Sequence, residues 1–149
     1  MISYPVTSRL YIGPKLTDPI LETCRSAGIT HVLNVADELP LDDAPDDDAY
    51  VCLKIGVKDH PSLITDIWLL SVLETGLSLL GQPRNRLYIH CHRGKNRAPS
   101  AAYLLLRGLG FHRASAAAFL PEKTAPRYAN QVEAFLRNYE IAPKPHSTH

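Results

Sequence analysis

Hydrophobic and polar positions along the 149-residue chain follow two alternating patterns. Short apolar runs rich in β-branched and aromatic residues are typical of strands, and they cover residues 10–12, 31–35, 50–57 and 87–91. The last run is apolar on both faces, which is typical of a buried central strand. Because strands dominate the first part of the chain and helices the second, the pattern predicts a sheet covered by helices.

Helical periodicity fills the segments between these strands. A short helix is predicted with Asp18 as its N-cap, Pro19 at its first helical position and Gly28 just after its end. A longer helix is expected over 61–80, where apolar residues at spacings of three and four form one stripe. We assign this stripe to the core; it consists of Leu63, Ile67, Leu70, Leu73, Leu77 and Leu80.

Further helices are predicted after the last strand, near 98–107, near 113–120 and at the apolar positions around 132–139. The polar tail 143–149 is expected to be flexible. There is no internal repeat and no linker, so residues 1–149 are predicted to form a single domain.

Composition and charge narrow the class of protein. A net charge of +1 without a long basic block gives no indication that the chain binds a nucleic acid or a membrane surface. The three cysteines, Cys24, Cys52 and Cys91, are widely spaced and odd in number, which favours free thiols in a reducing compartment. No apolar run of about 18 residues occurs, and the start lacks a signal-peptide pattern. We therefore expect a cytoplasmic monomer without a membrane span.

The segment with the clearest chemistry connects the last strand to a helix and reads His90-Cys91-His92-Arg93-Gly94-Lys95-Asn96-Arg97. Backbone N–H groups of such a connection point into one concavity, which binds a tetrahedral oxyanion and stabilises a thiolate. A helix N-terminus alone contributes about 0.3–1 kcal/mol, whereas lowering the pKa of a thiol by about three units requires about 4 kcal/mol. The loop amides and Arg97 must therefore contribute as well.

The spacing His90-Cys91-x5-Arg97, with Gly94 third after the cysteine, resembles the signature of the cysteine-dependent protein tyrosine and dual-specificity phosphatases. Segments 10–13, 29–35 and the strand from Tyr50 resemble the opening of the small dual-specificity type, so the resemblance covers roughly 8–139. It implies an α/β fold with a central mixed, mostly parallel sheet flanked by helices, and a phosphate-binding loop between the central strand and a helix.

The resemblance also implies roles for individual residues. Cys91 attacks phosphorus to form a cysteinyl phosphate, and Asp59, on the loop after the third strand, is the general acid. Asp37 and Asp66 are weaker candidates for the acid, and His90 supports the loop. The substrate phosphate is bound by the loop residues His92, Arg93, Gly94, Lys95, Asn96 and Arg97. No cofactor and no metal are implied.

Two departures from the family pattern bear on activity and substrate. Ala98 stands where the family usually has serine or threonine, which predicts slow hydrolysis of the cysteinyl phosphate, although phosphatases resembling plant glucan phosphatases share this alanine. His92, Arg93 and Lys95 make the loop unusually basic, as in phosphoinositide phosphatases. The order of glycine, asparagine and arginine in the loop also resembles RNA 5′-triphosphatases.

Several functions stay open at this point. The short chain leaves little room to deepen the pocket, which favours phosphotyrosine and phosphoserine or phosphothreonine of proteins as substrates. The alternative is a non-protein substrate: a phosphoinositide, an RNA 5′-phosphate or a phosphoglucan. A phosphate-binding module of low turnover, suggested by Ala98, and a thiol-based sulfur-transfer or arsenate-reducing enzyme are further alternatives.

The remaining chemically active side chains have simpler interpretations. Cys52 is expected to be a strand-buried thiol, with a role as resolving thiol for Cys91 as the alternative. His90 and His92 flank Cys91 but lack a fourth ligand at a zinc-like spacing, so a metal site is not expected. An acidic run is interpreted as a solvated turn, with a cation site as the alternative; it comprises Asp42, Asp43, Asp46, Asp47 and Asp48.

Overall fold

The structure is a computed structural model that describes residues 3–43 and 50–139. Its strands are β1 (Tyr4–Pro5), β2 (Leu10–Gly13), β3 (His31–Ala36), β4 (Val51–Val57) and β5 (Leu87–His90). They form one sheet in the order β1-β2-β5-β3-β4, in which β1 is antiparallel to β2 and all other pairs are parallel. The predicted mixed, mostly parallel sheet with the cysteine-bearing strand at its centre is confirmed.

In the described part of the chain, five α-helices flank the sheet: α1 (Asp18–Ala27), α2 (Asp66–Leu80), α3 (Arg97–Gly108), α4 (Arg113–Ala118) and α5 (Ala129–Tyr139). Single turns of 3₁₀-helix lie at Pro61–Leu63 and Pro121–Lys123. Within the described ranges, none of these helices has the length and apolar character that crossing a membrane requires. The predicted flexible tail lies outside the described residues.

The start of α1 differs by one residue from the prediction. Thr17, with an extended backbone, is the N-cap, and Asp18 is the first helical residue rather than the cap. Gly28 ends the helix as predicted, with a φ of 73° in the left-handed region that glycine adopts without steric cost. The carboxylate of Asp18 still lies in the first turn, where the helix dipole favours negative charge.

The predicted core stripe on the long helix is only partly confirmed: Leu73 and Leu80 are buried, and Leu70 and Leu77 pack against the core, but the first two members of the stripe are exposed. A 3₁₀ turn precedes the helix, and Thr65 caps α2, so the helical phase begins five residues later than expected. Ile67 is 80% exposed and Leu63 is 42% exposed. Besides Leu73 and Leu80, the buried face carries four residues outside the predicted stripe: Trp68, Leu69, Val72 and Gly76. The segment is apolar on several sides, so spacing alone did not select the packed face.

Two hydrophobic clusters pack against the sheet. The larger contains the buried faces of α2, α3 and α5, and the smaller lies beneath α1 around Cys24 and Tyr88. Burial raises the pKa of Cys24 to about 12, and burial together with nearby carboxylates raises that of half-buried Cys52 to about 11. Both thiols are therefore protonated at neutral pH. Because β3, β4 and β5 are parallel neighbours, their carboxyl ends lie together at one edge of the sheet.

Candidate active site

The connection between β5 and α3 folds back on Cys91. Its sulfur is almost completely buried and accepts a hydrogen bond from the N–H of Gly94 at 3.2 Å. Gly94 has a φ of 75°, and a Cβ atom there would lie 2.5 Å from the carbonyl carbon of Gly13. The N–H of Lys15 donates to the carbonyl of His92 at 3.2 Å. The loop is therefore held against the end of β2, and the close approach requires glycine at position 94.

Arg97 begins α3 and is only 3% exposed. Its Nη1 and Nη2 each donate to the carboxylate of Glu38 at 2.7 Å, and Nη1 also donates to the carbonyl of Val57 at 2.9 Å. The hydrogen bond from Arg97 lowers the pKa of Glu38 to about 2. The Nε atom of Arg97 is buried and has no hydrogen-bond partner within the described ranges. The Nε–H donor of the guanidinium is thus not used by the described residues.

Asp59 lies on the loop that follows β4. Its Oδ1 accepts a hydrogen bond from the hydroxyl of Tyr128, and its Oδ2 accepts one from Nδ2 of Asn96 at 3.1 Å. The loop is closed by a hydrogen bond from the N–H of His60 to the carbonyl of Lys58 at 2.9 Å. The ring of His60, which had no predicted role, accepts from the next 3₁₀ turn as its N-cap. The carboxylate is therefore held at both oxygens.

These side chains meet in one cavity of about 340 Å³ at the carboxyl edge of the sheet. The cavity is lined by Glu38, Asp59, Cys91, His92, Arg93, Lys95, Asn96 and Arg97. Of the predicted binding residues, Gly94 does not line the cavity: a Cβ atom there would meet Gly13, while its N–H points to the sulfur of Cys91. His92, Arg93 and Lys95 are exposed and form a basic rim. The weaker candidates for the acid lie elsewhere: Asp66 begins α2, and Asp37 lines a separate groove.

His90 lies behind the loop and is fully buried. Its Nδ1 lies 3.3 Å from the carbonyl oxygen of Cys91, and its Nε2 lies 2.6 Å from Oδ2 of Asp42. The interpretation of Asp42 as part of a solvated turn was wrong, because its side chain is only 15% exposed and pairs with the histidine. Asp43 is exposed, and the remaining aspartates of that run lie outside the described residues.

Three residues of this site were missed by the sequence analysis: Glu38, Asp42 and Tyr128. Glu38 follows the carboxyl end of β3, so its place beside another parallel strand end offered a signal that was not used. Tyr128 precedes α5 and is separated from Asp59 by 69 positions. No local pattern connects those two positions, so only the folded chain reveals the contact.

Comparison with known families identifies the protein family to which this chain belongs. A sequence profile named PTP-SAK, for Swiss Army Knife protein, DSP-PTPase phosphatase domain, matches residues 5–149. The chain belongs to this DSP-PTPase family. It is therefore a cysteine-dependent phosphatase of the dual-specificity type, as the resemblance implied. The search of curated proteins finds no match to this DSP-PTPase domain.

Solved structures share the fold of this DSP-PTPase domain. The human tyrosine phosphatase-like serine/threonine/tyrosine-interacting protein matches with a TM-score of 0.74 and 16% identity, over 95% of this chain and 99% of that one. Human DUSP28 matches with a TM-score of 0.74 and 19% identity, over 93% and 95% of the two chains. PTPMT1, in a complex with PI(5)P, matches with a TM-score of 0.74 and 12% identity, over 93% and 97%.

Proposed function

We propose that this domain hydrolyses phosphate monoesters with Cys91 as nucleophile, Arg97 as phosphate-binding residue and Asp59 as general acid. The observation that carries the proposal is the unsatisfied Nε of buried Arg97 in the cavity that also contains Cys91 and Asp59. A buried guanidinium donor without a partner loses the hydrogen bond it had in water, and a phosphoryl oxygen restores it.

The proposed reaction has two steps. In the first, the thiolate of Cys91 attacks phosphorus, the S–P bond forms as the P–O bond of the ester breaks, and Asp59 gives its proton to the leaving oxygen. In the second, the carboxylate of Asp59 takes a proton from water, whose oxygen attacks phosphorus and releases phosphate and the thiolate. Asp59 accepts a hydrogen bond at each of its two oxygens, and these bonds suit the ionised carboxylate that acts as base in the second step.

Loop residues support the transferred group in both steps. The N–H of Gly94 already reaches the sulfur at 3.2 Å, and the loop ends at the N-terminus of α3, where N–H groups favour an anion. Glu38 holds both Nη atoms of Arg97, which fixes the plane of the guanidinium before substrate arrives. Such preorganised donors stabilise charge without reorganising during the reaction.

Phosphotyrosine and phosphoserine or phosphothreonine of proteins are the first proposed substrates. The basic rim of His92, Arg93 and Lys95 favours the second candidate, a non-protein phosphomonoester with a further anionic group. Rates on phosphopeptides, phosphoinositides, RNA 5′-phosphates and phosphoglucans at equal concentration decide between them. Faster turnover of any non-protein class than of the phosphopeptides would replace the first proposal by the second.

Hydrolysis of 4-nitrophenyl phosphate tests the proposal as a whole. Turnover is expected in the wild type and is expected to vanish in Cys91→Ser, while Cys52→Ser, a matched change outside the cavity, retains it. A wild type that binds phosphate but releases none from the ester would favour the low-turnover module. Consumption of thiosulfate with cyanide, or reduction of arsenate, would favour the sulfur-transfer or arsenate-reducing alternatives. Location in the cytoplasm and the monomeric state stay predictions from the sequence.

A further inference from the structure

We infer that Tyr128 and Asn96 are positioning residues that hold the carboxyl group of Asp59 at the catalytic cavity. The inference rests on the proposed function of Asp59 as general acid. Asp59 is an exposed residue on a loop, and a side chain of that kind samples several rotamers when water is its only partner. Two donors from other parts of the fold remove that freedom.

The two donors act on different oxygens of Asp59. Tyr128 donates its hydroxyl hydrogen to Oδ1, and Asn96 donates from Nδ2 to Oδ2 at 3.1 Å. A carboxylate accepting at both oxygens is fixed in position and in the rotation of its plane. Asn96 belongs to the phosphate-binding loop, so this contact also sets the distance between the acid and the loop that binds the phosphoryl group.

Tyr128 is well suited to this role because its own position is fixed. The residue is fully buried, and its carbonyl accepts the N–H of Val132 at 3.1 Å in the first turn of α5. Its N–H donates to Oγ of Ser100 at 3.3 Å, and that hydroxyl donates to the carbonyl of Asn96 at 2.7 Å. The two positioning residues are therefore linked through Ser100.

The hydroxyl of Tyr128 stays protonated, and so remains a hydrogen-bond donor, at neutral pH. Burial, and after it the hydrogen bond to Asp59, raises the pKa of Tyr128 to about 12. When Asp59 is protonated on Oδ2 for the first step, Oδ1 still accepts from Tyr128. When Asp59 is ionised for the second step, both contacts persist. One arrangement thus serves the acid and the base form.

The test compares two buried tyrosines whose hydroxyls both donate to a carboxylate. Tyr128→Phe removes the contact with Asp59, and Tyr103→Phe removes the matched contact with Glu133, at 2.6 Å and outside the cavity. The readout is kcat/KM for phenyl phosphate, whose leaving group needs a proton, relative to 4-nitrophenyl phosphate, whose leaving group needs it less. We expect Tyr128→Phe to lower this ratio about tenfold and Tyr103→Phe to leave it unchanged.

The variant Asp59→Asn separates the inference from the proposed function. It is expected to lower the same ratio by about 100-fold. If Asp59→Asn leaves the ratio unchanged, the role of Asp59 as acid fails. If Asp59→Asn lowers it while Tyr128→Phe keeps the wild-type ratio, or loses activity equally on both substrates, the inference about Tyr128 is overturned.

Two additional variants complete the test. Tyr128→Phe combined with Asp59→Asn is expected to show the ratio of Asp59→Asn alone, since a positioning residue acts only through the group it holds. Additive losses would contradict the inference. Asn96→Ala is expected to lower the ratio in the same direction as Tyr128→Phe, and it provides a readout if Tyr128→Phe does not fold. An unchanged ratio in Asn96→Ala removes Asn96 from the inferred pair.

Discussion

Helix α3 carries an arginine that pairs with a glutamate at each end. At its C-terminal end, Nε and Nη2 of Arg107 donate to Glu133 at 2.8 and 2.9 Å, and Nη1 donates to the carbonyl of Phe111 at 2.9 Å. Every nitrogen of that guanidinium has a partner. At the N-terminal end, Arg97 is engaged by Glu38 through Nη1 and Nη2 only, and its Nε has none within the described ranges.

The difference between the two ends supports our proposal that the pair of Arg97 serves binding whereas the pair of Arg107 is structural. Burial alone would raise the pKa of Glu133, but hydrogen bonds from Arg107 and Tyr103 lower it overall. The carboxylate is therefore ionised, and its hydrogen bonds are made within the protein. The pair of Arg97 lines a cavity, and Nε of Arg97 has no partner among the described residues. Native proteins rarely leave buried donors without partners, so this donor supports the proposed binding of a phosphoryl oxygen.

Exchange of each arginine for lysine gives the largest expected effect. Arg97→Lys loses the planar fork and should lower kcat/KM for 4-nitrophenyl phosphate by about 100- to 1,000-fold. Arg107→Lys, the matched change at the other end of α3, should keep kcat/KM within about threefold and lower stability instead. Steady-state kinetics and urea unfolding measure both. Equal losses of activity in the two variants would show that the two pairs do not differ in function, which would contradict the account.

Glu133→Gln should produce the next largest change, in stability. Removing this carboxylate leaves the charge of Arg107 buried without its partner, which typically costs about 3 kcal/mol of the free energy of unfolding. Urea denaturation measures the loss, and kcat/KM should remain close to the wild-type value. A variant that is as stable as the wild type would show that the pair is not structural.

Ala98→Ser tests the missing hydroxyl next to Arg97. Ala98 is fully buried in the first turn of α3. A hydroxyl there is expected to help the thiolate leave the cysteinyl phosphate and to accelerate that step about tenfold. Single-turnover kinetics by rapid quench separates this step from the attack on substrate. An unchanged rate of hydrolysis would show that Ala98 does not limit turnover.

Glu38→Gln should show the smallest effect, visible in the pH dependence of stability. The pKa of Glu38 is lowered to about 2, so ionised Glu38 contributes stability above its ordinary value of 4.5 and loses that contribution as the pH falls toward 2. The contribution should be below about 1 kcal/mol, since the side chain is 48% exposed and screened by water. Unfolding curves between pH 7 and pH 2 should therefore converge for wild type and variant at the acid end; a constant difference would contradict the pairing.

The parts of the site that residue spacing alone predicts are local ones, whereas Asp59 was predicted through the family resemblance. Cys91, Gly94 and Arg97 lie within a single strand–loop–helix connection, so their spacing carries the geometry of the loop. The contacts of Glu38 and Tyr128 join distant segments and depend on how the sheet orders its strands and where α5 begins. The face of α2 was misassigned for a related reason: packing against α3 selects it, as shown by the close fit of Gly76 against Leu105.

The most direct measurement of the central claim is to identify the covalent intermediate. Wild-type protein mixed with 4-nitrophenyl phosphate and quenched in acid within milliseconds should carry one phosphoryl group on the peptide that contains Cys91, detected by mass spectrometry. Arg97→Lys should reduce the amount formed, and Arg107→Lys should not. Release of nitrophenol with no phosphoryl group on Cys91, or with the group on another residue, would contradict the account.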